Sequence, residues 1–372
     1  MISARRRSTA TSFVLLVALA AVPVLATGAT TQATDATAQD APVFPAAEWE
    51  RIADPATAGF SRAGLESVRA YTEEQNTTAA MAIVGGSVLW EYGDIERVSY
   101  LASVRKSVLA MLYGNHVADG SIDLDKTLEE MDMDDVGGLT PGERQATVRH
   151  LIMASSGVYH PASNPGDSLD AAPPRGSQAP GTYFLYSNWD FNAAGGAFEK
   201  ATGRDLFDAL QTDLAEPLGM RDFDRSRHRK GGDMERSVYP SYHMHLSTRD
   251  MARIGYLMLR EGSWDGVQVV PRDWARQIVS VVTPVQKMNP APVRNGPFGY
   301  GYMWWVGDGE AARGAFVDAY SARGAYGQYI TVLPAIDMVV AHKTVPDDAT
   351  SWAAYQGILD RLVEARCGDA CS

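Results

Sequence analysis

An α+β fold is predicted, with one antiparallel sheet flanked by N- and C-terminal helices and joined to an inserted all-helical lobe. Runs rich in Val, Ile, Tyr and Trp occur near both ends of the chain: AAMAIVGGSVLWEYG from Ala79, then FGYGYMWWVG from Phe298, AYGQYITVLP from Ala325 and DMVVAHKTV from Asp337. Between them, from Ser103 to about Leu218, helical spacing and Gly/Pro punctuation dominate and strand signals are scarce. The late strands are expected to complete the sheet begun by the early ones, with the ligand cleft between lobe and sheet. No internal repeat is present.

The N-terminus has the order of a secretory signal: Arg5, Arg6 and Arg7, an apolar run from Phe13 to Val22, Pro23, and a plausible cleavage site at Val24-Leu25-Ala26. A spanning helix needs about 18 or more apolar residues, and this run is shorter, so residues 1–26 are read as a signal peptide and the mature protein as secreted or periplasmic, without stable membrane insertion. Residues 27–41, TGATTQATDATAQDA, contain no large apolar side chain to offset the entropy of ordering and are expected to be a flexible linker. The folded domain then spans 42–372, its helical lobe covering about 103–225.

Within that domain SRAGLESVRAYTEEQ opens on a capping serine, Ser61, and spaces Leu65, Val68 and Tyr71 as one helical face. Gly85-Gly86 reads as a hairpin turn between two strands. Helices follow in SVRKSVLAMLYGNHVADG, ATVRHLIMASSG, SNWDFNAAGGAFEKATG and LFDALQTDLAEPLGM, and DLDKTLEEM carries acids at its start as helix N-termini do. STRDMARIGYLMLREG forms a further helix capped at Ser247 or Thr248, and TSWAAYQGILDRLVEA closes the fold with Trp352, Tyr355, Leu359, Leu362 and Val363 on one face.

The formal net charge is −12, and loss of the leader would remove three arginines and no acid. So acidic a surface, with no basic stripe, argues against nucleic acid and anionic lipid as partners and for a non-polyanionic small molecule. The two cysteines, Cys367 and Cys371, could close a small terminal loop, which would tie down the tail and not staple the core.

Ser103 and Lys106 stand one helical turn apart at the start of an apolar helix. Ser is also a common N-cap, so S-x-x-K alone is weak. A serine hydroxyl needs an adjacent base to become a nucleophile, and Lys106 can supply one only if burial or a neighbouring positive charge lowers its pKa. A second element, Tyr186-Ser187-Asn188, lies in a loop just before a helix. With VRHLIMASSGV, HLSTRDMARIGYLMLREGSWDG and FGYGYMWW, these residues resemble the serine hydrolases related to class C β-lactamases, D-alanyl-D-alanine peptidases and 6-aminohexanoate-dimer hydrolases, from about Arg62 to Leu362.

The resemblance implies a β-lactamase/transpeptidase-like fold and an acyl-enzyme on Ser103. Lys106 and Tyr186 would be the acid/base pair, either Lys106 or a Tyr186 phenolate taking the proton, and Asn188 would orient Lys106 or the substrate's amide. The family's third motif, K-T-G or H-x-G, falls on Ala322-Arg323-Gly324, where the Lys or His is absent. Gly324 would let substrate approach the strand, the backbone N–H groups of Ser103 and Ala325 would face the oxyanion, and Arg323 could replace the missing cation. Because that cation normally grips a substrate carboxylate, the expected substrate is an ester, an amide or a short peptide-like molecule. A β-lactamase, a D-Ala-D-Ala carboxypeptidase and a peptidoglycan or β-lactam sensor that does not turn over are the alternatives.

Lys343-Thr344-Val345 lacks the glycine of the third motif and is read as a strand end. His243-Met244-His245 has no H-E-x-x-H context, so neither a metal nor an organic cofactor is implied. His150 and His160 are read as structural or cleft-lining. Tyr300, Tyr302, Trp304 and Trp305 are expected to alternate within one strand, mostly in the core, with one or two walling the cleft.

Overall fold

The computed structural model describes residues 42–309 and 312–367. The signal peptide and linker read from the sequence lie outside the described residues, as does Cys371; Cys367 is disulfide-bonded. Among the described residues no helix is long and apolar enough to cross a membrane.

Among the described residues seven strands form the main sheet: β1 (Ala79–Val84), β2 (Ser87–Gly93), β3 (Phe298–Tyr300), β4 (Trp305–Gly307), β5 (Tyr320–Gly324), β6 (Gln328–Leu333) and β7 (Met338–Lys343). Their spatial order is β2-β1-β7-β6-β5-β4-β3, antiparallel throughout. The early hairpin turns at Gly85 and Gly86, both at positive φ, which a two-residue hairpin turn requires. Its inner strand pairs with the last strand of the sheet, from Ala79 opposite Lys343 to Val84 opposite Met338. The residues between β2 and β3, 94–297, form the insertion.

Eight helices are α1 (Arg62–Glu73), α2 (Val104–Ala118), α3 (Val148–Ile152), α4 (Asn188–Thr202), α5 (Leu206–Leu210), α6 (Thr248–Leu259), α7 (Arg272–Ile278) and α8 (Trp352–Glu364) among the described residues. Ser61, Ser247 and Ser351 each accept a backbone N–H three residues on, so α1, α6 and α8 start where a side chain satisfies an otherwise unpaired donor.

Alternation along the strands divides the core. Ala80, Ala82, Met338 and Val340 meet α1 and α8 on one face, while Met81, Ile83, Val339 and Ala341 meet the inserted helices on the other. Helix α6 lies so close to the sheet that a Cβ on Gly255 would collide with Val339 and Ile330. Helix α2 is buried from Val104 through Gly114 and runs through the larger core, which explains its lack of a polar face.

Three local expectations are corrected. DLDKTLEEM forms turns instead of a helix, because Leu128, Glu129, Val148 and Arg149 exchange backbone hydrogen bonds with the facing chain segment. The run from Phe298 is two short strands, broken at residues 301–304 where Met303 takes a positive φ and its carbonyl accepts the Ser107 hydroxyl at 2.6 Å. The run from Ala325 begins with a turn through Tyr326 (φ 67°), and its strand starts at Gln328.

Candidate active site

Ser103 occupies the N-cap position of α2, yet its side chain makes no capping hydrogen bond. The structural reading of this serine therefore loses its support, and its hydroxyl lies 3.0 Å from Lys106 Nζ instead. The separation of three residues places both side chains on one face of α2. Helix α4 and the loop before it complete the set: Lys106 Nζ is 2.6 Å from Tyr186 Oη and donates to Asn188 Oδ1 at 2.7 Å.

The surrounding chain fixes these partners. Leu185 N–H donates to Ala154 O and Ser168 N–H to Tyr186 O, pinning the loop on both sides of the tyrosine. Asn188 donates its Nδ2 to Pro165 O at 2.9 Å and its backbone N–H to Asp167 at 2.8 Å. With both amide ends engaged and 2% of the residue exposed, Asn188 is held against Lys106 and is not among the residues that line the cleft.

Lys106 is 1% exposed and its ammonium form has no carboxylate contact among the described residues. Burial, then the Arg105 charge, lower its pKa well below the ordinary lysine value, with Asp167 opposing. Tyr186 is pushed the other way, up to about 12, mainly by burial, with the Ser103 hydrogen bond opposing. The two shifts run in opposite directions: burial disfavours the ammonium form of Lys106 and the phenolate form of Tyr186 alike.

The sequence matches the family model described as Beta-lactamase over residues 68–345. The chain belongs to the beta-lactamase family. Its fold is shared by solved structures of low identity. A protein named as a 6-aminohexanoate-dimer hydrolase from Bacillus anthracis is 18% identical, with 80% of each chain covered and a TM-score of 0.58. A beta-lactamase from Mycobacterium bovis is 22% identical, covering 80% of this chain and 99% of that one, with a TM-score of 0.56. A penicillin-binding protein homolog from Caulobacter crescentus is 15% identical, covering 82% and 98%, with a TM-score of 0.59. No curated protein matches the sequence. The chain is therefore a hydrolase of beta-lactamase fold.

In this beta-lactamase-family site Ser103, Tyr186, Arg323, Gly324 and Ala325 line one cleft of about 440 Å³. Gly324 has extended backbone (φ −124°), so space, not conformation, demands glycine there. A Cβ would stand 2.6 Å from Leu101 O and 3.0 Å from Ser103 N, so β5 is pressed against the backbone that carries the serine. The glycine expected to admit substrate makes room for the main chain of Ser103.

Arg323 packs its guanidinium carbon 3.7 Å from the Trp352 ring centroid, 4.9 Å from Trp305 and 5.0 Å from Phe298. Among the described residues it has no carboxylate or hydrogen-bond partner, and it is the one charged side chain lining the cleft. Burial lowers its pKa to about 10, which leaves it cationic at neutral pH.

Trp305 lines the cleft and stacks on Tyr186 at 5.8 Å, whereas Tyr300, Tyr302 and Trp304 are buried. Phe298 and Trp352 were not singled out for the cleft from sequence; they reach it from segments far apart in the chain, and no local pattern marks them. His243 and His245 pack against the Tyr100 ring, and no group of three or more His, Cys, Asp or Glu among the described residues is arranged to hold a metal ion. His150 joins a capping box with Thr147, and His160 bonds the carbonyls of Pro161 and Val136, so both are structural. Lys343 ends β7 with its Nζ donating to the carbonyls of Ser99 and Leu246, tying the sheet to the insertion.

Proposed function

We propose that this protein is a serine hydrolase that cleaves an ester or amide bond in a small, carboxylate-bearing substrate through an acyl-enzyme on Ser103. The observation that carries the reading is the 3.0 Å approach of Ser103 Oγ to a lysine whose pKa burial and a neighbouring cation lower well below the ordinary value. As Oγ bonds to the substrate carbonyl carbon, its proton passes to Lys106 Nζ, and the oxyanion faces the N–H groups of Ser103 and Ala325. Collapse breaks the bond to the leaving group, which takes the Tyr186 hydroxyl proton while Lys106 returns its own to the phenolate. Water then adds to the acyl carbon by the same relay in reverse and releases the acid.

Lys106 is favoured over a Tyr186 phenolate as the base because the phenol's pKa is raised to about 12. Arg323, the one charged side chain of the cleft among the described residues, supports a carboxylate on the substrate, and the Phe298, Trp305 and Trp352 rings support an apolar body. A carboxylate-bearing β-lactam or terminal D-Ala peptide also fits this charge, which keeps those substrates as the second reading. Export, read from residues 1–26, belongs to the proposal, and the mature N-terminus checks it.

Intact-mass spectrometry after exposure to a fluorophosphonate tests the nucleophile. A single adduct absent from Ser103→Ala supports the reading, and turnover of short esters, amides and cephalosporins then ranks the substrates. An unmodified wild-type protein refutes it, while a stable acyl adduct without turnover moves the protein to the sensor class.

A further inference from the structure

Arg105 is the charged residue of the SVRK run that the reaction above leaves unused. It is 2% exposed, its guanidinium carbon lies 4.2 Å over the Tyr242 ring, and Nη2 donates to Asn192 Oδ1 at 3.3 Å. Its Nη1 is buried with no hydrogen-bond partner, and no carboxylate pairs with the residue among the described residues. A buried charge is costly unless paired. For stability alone, an apolar side chain or an acid beside the guanidinium would serve better.

The same arrangement recurs one residue on. Lys106 is met by the amide oxygen of Asn188 and Arg105 by that of Asn192, one turn further along α4. An amide oxygen accepts a hydrogen bond without bringing negative charge, so both basic side chains are held in place and neither is neutralised.

We propose that Arg105 is a positioning residue for the reaction: its deliberately unpaired charge disfavours a second cation at Lys106 and so keeps the lysine a proton acceptor, while Asn192 holds the guanidinium without cancelling it. This rests on the reading of Lys106 as the base. The groups facing Lys106 from each neighbouring element leave one opposing charge. From the loop before α4 come Tyr186, a neutral phenol, and Asp167, whose opposing influence ranks below that of Arg105. From α4 come the Asn188 amide and the Phe191 ring, 4.4 Å from Nζ. Asp190, also on α4, instead accepts from the Ser156 hydroxyl and N–H, and burial raises its pKa to about 8. From β5, Arg323 acts on Tyr186 with the same positive sign.

The rate at which a fluorophosphonate modifies Ser103, followed against pH, tests the proposal in wild type, Arg105→Met, Arg105→Lys and Asn192→Asp. Removing the charge in Arg105→Met, or cancelling it in Asn192→Asp, is expected to move the acid limb to higher pH. Below that limb the rate falls about tenfold or more, and the profiles converge in base. Arg105→Lys is expected to keep the wild-type limb. A folded Arg105→Met with an unmoved limb overturns the proposal, as does Arg105→Lys displaced as far as Arg105→Met. If Arg105→Met does not fold, Asn192→Asp decides by the same criterion. Wild-type protein that forms no adduct at any pH overturns the hydrolase reading itself, and this proposal with it.

Discussion

In the proposed reaction Lys106 and Tyr186 divide the proton work, and their substitutions are expected to separate. Lys106→Met removes the base for every substrate, so hydrolysis falls by about 10²–10⁴-fold whatever the leaving group. Tyr186→Phe removes the proton donor to the leaving group. It is expected to slow amides far more than p-nitrophenyl esters, whose leaving group departs as an anion; equal losses on both would refute that role. Arg323→Met keeps a side chain among Trp352, Trp305 and Phe298 but deletes the charge. KM for a carboxylate-bearing ester is expected to rise about tenfold or more, as for loss of a charge-assisted hydrogen bond, while a neutral ester of the same size is unaffected. Ser103 and Lys106 were legible in the sequence because three residues on a helix is a fixed spatial relation. Arg105 was not, since its significance lies in the absence of an acid, and absences are settled by chains that arrive from elsewhere.

At the scale of elements, the site depends on how tightly β5 meets the start of α2. Gly324→Ala places a methyl against Leu101 O and Ser103 N, both main-chain atoms that cannot swing aside. Activity is expected to fall steeply, with a loss of about 1–3 kcal/mol in unfolding free energy; wild-type turnover in this variant would show that the strand yields. The strand itself, YSARG, has no β-rich signature, and it exists because Tyr320 to Gly324 pair with Val332 to Gln328 and, on the other side, Ser321 with Trp305. DLDKTLEEM failed in the opposite sense: acids suited to a helix start are used as side-chain acceptors, Asp123 for the Asp125 N–H and Glu130 for the Thr127 N–H.

Across the whole molecule, buried histidines link stability to pH. His342 is fully buried, with Nδ1 2.7 Å from Gly327 O and Nε2 2.9 Å from Thr77 Oγ1, and burial lowers its pKa to about 4. His228, stacked on Phe207 and Phe223, is lowered to about 4 as well. Unfolded histidine titrates near pH 6.5, so below that value the unfolded chain binds protons the native state refuses. The contribution is complete above about pH 6.5 and is lost as pH falls toward 4, at up to about 1.4 kcal/mol per pH unit for His342. Thermal melts at pH 7, 6, 5 and 4 should show this decline, and His342→Gln should make it shallower; parallel curves for the two proteins would refute the assignment.

By itself the sequence determined the α+β division, the capped helices, the early hairpin and the pairing of Ser103 with Lys106, because each follows from periodicity, turn chemistry or a one-turn spacing. Tyr186 and Asn188 were legible only as part of a resemblance. The tertiary structure alone decided that Asn188 accepts from Lys106, that Arg323 lies among aromatic rings from three separate segments, and that Gly324 makes room for the backbone of Ser103. Those outcomes depend on which distant side chains share a buried space, and burial decides which groups stay charged, so neither can be read from residues that are neighbours only along the chain.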